Sequence, residues 1–283
     1  MPFAVMVLIF NYLPIWGWTV AFQKYKPGKL FWAQTWVGLA NFIDLFQQPR
    51  FYLALQNTLT MSLMSLLVNF TFPIAFAILL SEMRWRGFKR LIQTVSYLPH
   101  FVSWVVVSGI VYRMLSTDAG PINQIISAMG GKPIQFMAQS NLFYFIVTGA
   151  DLWKELGWNA IIYLAAIAAI DPELFEAAKV DGAGRWGQIW NITLPGISHI
   201  VIILLILSIG NLINIGFERQ FQLMNTIVLD RAQVLELYAL RYGIQMNNFG
   251  RGAAIGVVNS VVSLTLLFVA NGIFRRKTGE SVM

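Results

Sequence analysis

The side chains with chemistry to offer are ionisable, amide and indole groups set inside apolar runs. One stretch holds Asp151, Trp153, Lys154, Glu155, Trp158 and Asn159, and another holds Asn211 and Asn214. A charge in such surroundings is costly unless it is paired or faces water, so these residues either pack helices together or line a polar route. On a route, indoles would stack on sugar rings and amides would meet sugar hydroxyls. As packing groups, the amides would bond across helices. Lys154, three residues after Asp151 and next to Glu155, would then neutralise one of the two carboxylates, with Lys154–Asp151 as an internal ion pair. Pro99-His100 marks a bend, where a hydrogen-bonded structural role for His100 is simpler than a gate.

Bond-breaking chemistry finds no comparable set. With no cysteine and two histidines, disulfides and thiolate metal sites are excluded and a metal centre has no support. A phosphate cradle needs G-x-x-x-x-G-K-[ST] opening a helix, and Gly130-Gly131-Lys132-Pro133 lacks both the spacing and the hydroxyl. No nucleophile and base converge. The chain reads as a binder or carrier rather than an enzyme.

A second group of residues lies between the apolar runs, at 171–197. Asp171 can cap a helix whose first position is Pro172, with Glu173 well placed in the first turn. Leu174, Ala177, Ala178 and Asp181 recur at helical spacing, giving a face of mostly small side chains that another protein can approach closely. Gly182 and Gly184 end that helix, and a second amphipathic segment from Trp186 to Thr193 runs into Leu194-Pro195.

The elements that must position these groups are membrane helices. The 283 residues are 57% hydrophobic and 12% charged, against about 25% charged in ordinary soluble domains. Six segments are long and apolar enough to cross a bilayer, at roughly 3–22, 54–80, 92–115, 142–170, 198–217 and 253–274. The first lacks a basic flank and cleavage site and reads as a retained span. Gly252, Gly256 and Ser260 form a small-residue stripe on the sixth, suited to close helix packing. With the N-terminus inside, loops 81–91 and 171–197 and the tail 275–283 carry nine Lys and Arg in 47 residues, against nine in 92 for the outer loops. That bias places both termini in the cytoplasm. The net charge of +7 thus anchors helices in lipid and does not form a nucleic-acid stripe.

Glu176-Ala177-Ala178, Gly182, Ile192, Leu194 and Pro195 stand in the order Glu-Ala-Ala, three residues, Gly, nine residues, Ile-x-Leu-Pro. At these residues the chain resembles the permease family of binding-protein-dependent ABC importers, over about residues 4–276. It looks closest to the subgroup for complex polysaccharides, lipo-oligosaccharides and alginate oligosaccharides. Residues 96–104, Tyr163 to Ile167 with Asp171-Pro172, and Leu204 to Asn211 carry that nearer likeness.

The resemblance implies an all-α, polytopic fold of six transmembrane helices, the type I ABC importer permease fold. It implies a single membrane domain, 1–283, with the core at 54–274 and a coupling loop at 171–197. Glu176, Ala177, Ala178, Asp181, Gly182, Ile192, Leu194 and Pro195 would couple to an ATPase. Asp151, Trp153, Trp158, Asn159, Asn211 and Asn214 would form the substrate path. The implied partners are a second homologous permease, two ATP-binding subunits that hold ATP and Mg, and an extracytoplasmic solute-binding protein, in a bacterial inner membrane. The implied activity is ATP-driven import of an oligosaccharide or polysaccharide fragment by alternating access. The rival is an ion-gradient-driven secondary transporter, whose usual internal repeats are not evident.

Overall fold

The structure is a computed structural model that describes residues 2–278. Among the described residues, four helices are long and apolar enough to cross a membrane. They are α1 (Phe3–Phe22), α3 (Pro49–Ser81), α9 (Arg185–Gly210) and α14, whose apolar part is Phe249–Arg276. A bent pair, α4 (Arg86–Phe101) and α5 (Trp104–Met114), set at 107°, adds a fifth if taken as one span. The fourth expected segment is α7 (Ser140–Ala168), 29 residues with three ionisable groups at its middle.

Two of the expected spans change shape. The run 92–115 is not one rod, because Pro99 sits in a 3-10 turn at Leu98–Phe101 and Ser103 is extended before α5 begins. Proline fixes its own φ and lacks the N–H that would continue a ladder. The fifth span begins at Arg185 and ends at Gly210, so Asn211 lies at its end and Asn214 beyond it. The second segment of the 171–197 loop is therefore the first part of a membrane helix, entered through a π turn at Ile189–Thr193.

The stretch 218–252, which links the fifth and sixth expected spans, is largely packed into the protein rather than open to solvent. It folds into α10 (Phe217–Leu223), α11 (Leu229–Ala232), α12 (Leu235–Tyr238) and the π-helical α13 (Ala239–Gln245). Leu223, Val228, Ala232, Val234 and Leu235 are buried in the two largest apolar clusters. The periodic Val234-Leu235-Glu236-Leu237-Tyr238 signalled this, but its charged neighbours at 230, 231 and 236 masked it. Irregular backbone is tolerated there because side chains satisfy it. Asn57 on α3 donates to the Asp230 and Gln233 carbonyls (2.8 and 3.0 Å) and accepts from the Tyr144 hydroxyl (2.6 Å). Thr58 Oγ1 accepts from the Leu235 amide (2.9 Å).

The remaining segments are smaller. α2 (Ala40–Phe46) follows a two-stranded antiparallel ribbon, Gln23–Lys24 on Thr35–Trp36, with Gln23 opposite Trp36. Trp32 and Trp36 stay exposed, as an interfacial element would. Between α5 and α7 stands α6 (Pro121–Ala128), followed by Gly130 at φ +83.

α3 lies along α7 in the main helix pairing, and α14 packs on α1, α9 and α13. Gly252 on α14 meets Gly243 on α13 nearly backbone to backbone, whereas Gly256 faces open space. The small-residue stripe thus serves a neighbour in this chain at its first member. A Cβ at position 243 would stand 2.6 Å from the Gly252 Cα. Gly243→Val is expected to lower stability by about 1–3 kcal/mol, seen as an earlier melt in detergent; a melt matching wild type would contradict the packing.

Candidate functional site

One cavity of about 590 Å³ lies among α3, α7, the end of α9 and the start of α10, within the roughly 300–1,000 Å³ of small-molecule sites. Asp151, Trp158, Asn159, Asn211 and Asn214 all line it. Trp153 does not; it is 47% exposed elsewhere on α7. The wall also contains Ser62, Ser65, Asn69 and Arg219. Asn69 and the serines were hidden in a span, 54–80, that carries no ionisable group. Arg219 looked like one more outer-loop cation, and only the fold of 217–245 turns it inward.

Arg219 changes the ion pairing. Its guanidinium, not Lys154, pairs with Asp151, and both side chains are about nine-tenths buried (8% and 10% exposed). Asn69 Nδ2 donates to the same Asp151 Oδ2 (2.6 Å). Lys154 instead donates to Glu155 Oε1 (2.9 Å) and to the His100 carbonyl (2.6 Å). The Lys154–Asp151 pair expected from spacing is therefore replaced. The reason is geometric: adjacent residues 154 and 155 both turn toward the 98–103 break, where a carbonyl needs a donor, while Asp151 faces the cavity.

His100 closes the same cluster. Its Nδ1 lies 2.6 Å from Glu155 Oε2, and its ring stacks on the Trp158 indole at 4.1 Å and 1°. Phe101 stands edge-on to both rings. The break between α4 and α5 is thus pinned to α7, and with it the cavity-lining Trp158, still 41% exposed. Beyond the cavity, Glu236 on α12 has a buried, unpartnered Oε2. Burial pushes its carboxyl up from the ordinary range, and nearby Arg219 opposes that shift.

The 171–197 residues form a separate site. α8 (Pro172–Val180) is capped by Asp171, whose side chain accepts from the Glu173 amide (3.0 Å). It carries Glu176, Ala177 and Ala178, and none of its side chains is buried. Leu174 and Val180 are 53% and 88% exposed. Asp181 is the C-cap and Gly182 follows at φ +76. The Ala183 amide donates to the Ala178 carbonyl (2.8 Å) and the Gly182 amide to Lys179 (3.1 Å), closing the helix end. Ile192 lies in the π turn and Leu194 and Pro195 just beyond it. Glu82 at the end of α3 faces Arg185 (3.9 Å). No group of three or more metal-ligating side chains gathers among the described residues.

A bundle of apolar helices, broken where polar side chains meet around a cavity, is the build of a membrane protein with a polar interior site. The chain belongs to the family of binding-protein-dependent transport system inner membrane components, whose pattern matches residues 70–278. It is 41% identical over 280 residues to the polygalacturonan/rhamnogalacturonan transport system permease protein YteP of Bacillus subtilis, covering 99% of this chain and 87% of that protein. It is 30% identical over 291 residues to the arabinooligosaccharides transport system permease protein AraP of Halalkalibacterium halodurans, covering 97% and 87%. A solved bacterial ABC transporter involved in the import of the acidic polysaccharide alginate superposes with a TM-score of 0.91 at 38% identity, covering 98% of this chain and 94% of that one. This chain is accordingly a multi-pass permease subunit of an ATP-driven importer, and ATP is hydrolysed in partner subunits. An ion-gradient-driven transporter is set aside.

Asp151→Ala is expected to destabilise the fold by about 3–5 kcal/mol, since it strands a buried guanidinium, and Asp151→Leu with Arg219→Met should restore most of it. Chemical denaturation of the detergent-solubilised chain checks both. For Glu236 the folded pKa lies above the unfolded one, so stability falls as pH rises through the folded pKa. Glu236→Gln should melt later than wild type at neutral pH, with the advantage gone below about pH 4; a constant advantage at all pH would refute this.

Proposed function

We propose that the chain forms one half of the passage for an oligosaccharide or polysaccharide fragment. The observation that carries this reading is the cavity, where amides, hydroxyls and aromatic rings gather around a single neutralised ion pair. Such walls suit a ligand with many hydroxyls and flat apolar ring faces. The named cargoes of the relatives are saccharides. A second homologous permease would supply the facing wall, and an extracytoplasmic solute-binding protein would deliver cargo. Two ATP-binding subunits would hold ATP and Mg. In this reading residues 1–283 are one membrane domain with its core at 54–274, in a bacterial inner membrane with both termini and the 171–197 loop in the cytoplasm. The lysine and arginine bias supports that orientation.

In the same proposal α8 seats in a groove of an ATP-binding subunit. Its bare face supports this: a nine-residue helix with no buried side chain, bracketed by Asp171 and Asp181 and carrying exposed Glu176. Ala177 and Ala178 allow close approach, and the Gly182 turn aims the helix. Nucleotide and loaded binding protein, each preferring one of two permease states, would drive the cavity between inward and outward access.

Glu176→Lys is expected to weaken capture of the ATP-binding subunit at least about tenfold, or 1.4 kcal/mol, while the permease still inserts. Gly182→Val should act likewise, because its φ of +76 strains any side chain. Equal pull-down by mutant and wild type would remove α8 from the interface. Trp158→Ala should lower saccharide uptake about three- to tenfold, the worth of one aromatic contact, with assembly intact. Unchanged uptake would take the cavity off the path.

A further inference from the structure

Trp158 brings the largest side chain to the cavity wall and is still 41% exposed. Two rings stand against it. The His100 imidazole lies flat on one face of the indole, with centroids 4.1 Å apart and planes 1° from parallel. Phe101 stands 5.3 Å from the imidazole and 5.6 Å from the indole, edge-on to both. Those nearly equal distances put Phe101 beside the stack; on the far face of the indole it would be much farther from the imidazole. Neither His100 nor Phe101 lines the cavity, so the cavity meets the indole where these two rings leave it uncovered.

The imidazole is itself held. Its Nδ1 faces Glu155 Oε2 at 2.6 Å, and Lys154 takes the other carboxylate oxygen at 2.9 Å. The carboxylate accepts from Nδ1–H, which sets both the tautomer and the plane of the ring. Lys154 also donates to the His100 carbonyl (2.6 Å), so adjacent residues of α7 fix ring and backbone together. Glu155 and Trp158 lie at i, i+3 on that helix, and the imidazole bridges from one to the other across a single turn.

We infer that His100 is a positioning residue for cargo, holding the Trp158 indole with its free face toward the passage. The inference rests on the cavity being the saccharide passage. A sugar ring gains from a flat partner that already lies in the right plane. A ligand that must first freeze a mobile indole loses part of what stacking supplies. An imidazole clamped by Glu155 and laid along one side of the indole removes that loss beforehand. With that side taken, the indole receives one sugar ring, from the cavity.

The test is ATP-dependent uptake by the assembled importer in proteoliposomes with its solute-binding protein, using trigalacturonate and arabinotriose as probes. His100→Phe keeps a flat ring and loses the bond to Glu155. His100→Asn keeps a donor near the Nδ1 position and loses the ring. Both leave Lys154 its backbone carbonyl and its carboxylate, so the helix break stays pinned. Uptake with His100→Asn should fall about two- to tenfold, the worth of one aromatic pair, while His100→Phe stays within about twofold of wild type. Added to Trp158→Ala, His100→Asn should lower uptake no further, because it acts through the missing indole. The reverse order, with His100→Asn active and His100→Phe impaired, makes His100 a strut for the 98–103 break and overturns the inference. Loss in both variants, loss in neither, or a His100→Asn loss that adds in full to Trp158→Ala also overturns it. Wild-type uptake by Trp158→Ala, or import of neither probe by the wild type, removes the passage reading itself, and this inference with it.

Discussion

Backbone amides and carbonyls in a membrane have no water to turn to, so a chain that interrupts its helices there must provide partners of its own. This structure interrupts its helices repeatedly, and several of the interruptions are met by a polar side chain from a neighbour. The 98–103 break receives Lys154 on the His100 carbonyl. The turn before α12 receives Asn57 and Thr58, and the end of α10 receives the Tyr112 hydroxyl (3.1 Å) on Leu223. Buried polar residues on α3 and α7 are therefore structural first.

The same economy governs charge. The three ionisable residues of α7 find separate partners, Arg219 for Asp151 and a shared cluster with His100 for Lys154 and Glu155. Replacing either pair by apolar residues would be near neutral for stability, whereas stranding one member is costly. Their retention suits a wall that must offer fixed donors and acceptors while carrying no net charge. A passage with that property can pass long hydroxyl-rich molecules without holding any of them tightly.

Composition and run length exposed the membrane class and the positions of the apolar segments, because lipid constrains every residue of a span. The Asp171-Pro172 start and the Gly182 stop of α8 were equally legible, since capping is a local matter between residues a few positions apart. Bends were less so: Pro99 signalled one, but not its 107°, which depends on Trp158 and Glu155 reaching from another helix. Five cavity residues were recognisable as polar groups in apolar runs. Arg219 and Asn69 were not, because their meaning depends on contacts across 68 and 82 positions of chain. Trp153 shared every local feature of Trp158 and differs only in which way its helix turns it.

The helix that begins at Arg185 does not stop at the bilayer surface. It continues for 26 residues to Gly210, about 39 Å at the usual rise, and its last turns present Leu204 and Ser208 to the cavity. If the 171–197 element moves as proposed, a rod of that length would carry travel at Arg185 to Ser208, less what the wider π turn at Ile189–Thr193 absorbs. Tightening that turn into regular helix would stiffen the stroke, and loosening it would let the near end move while the far end stayed still.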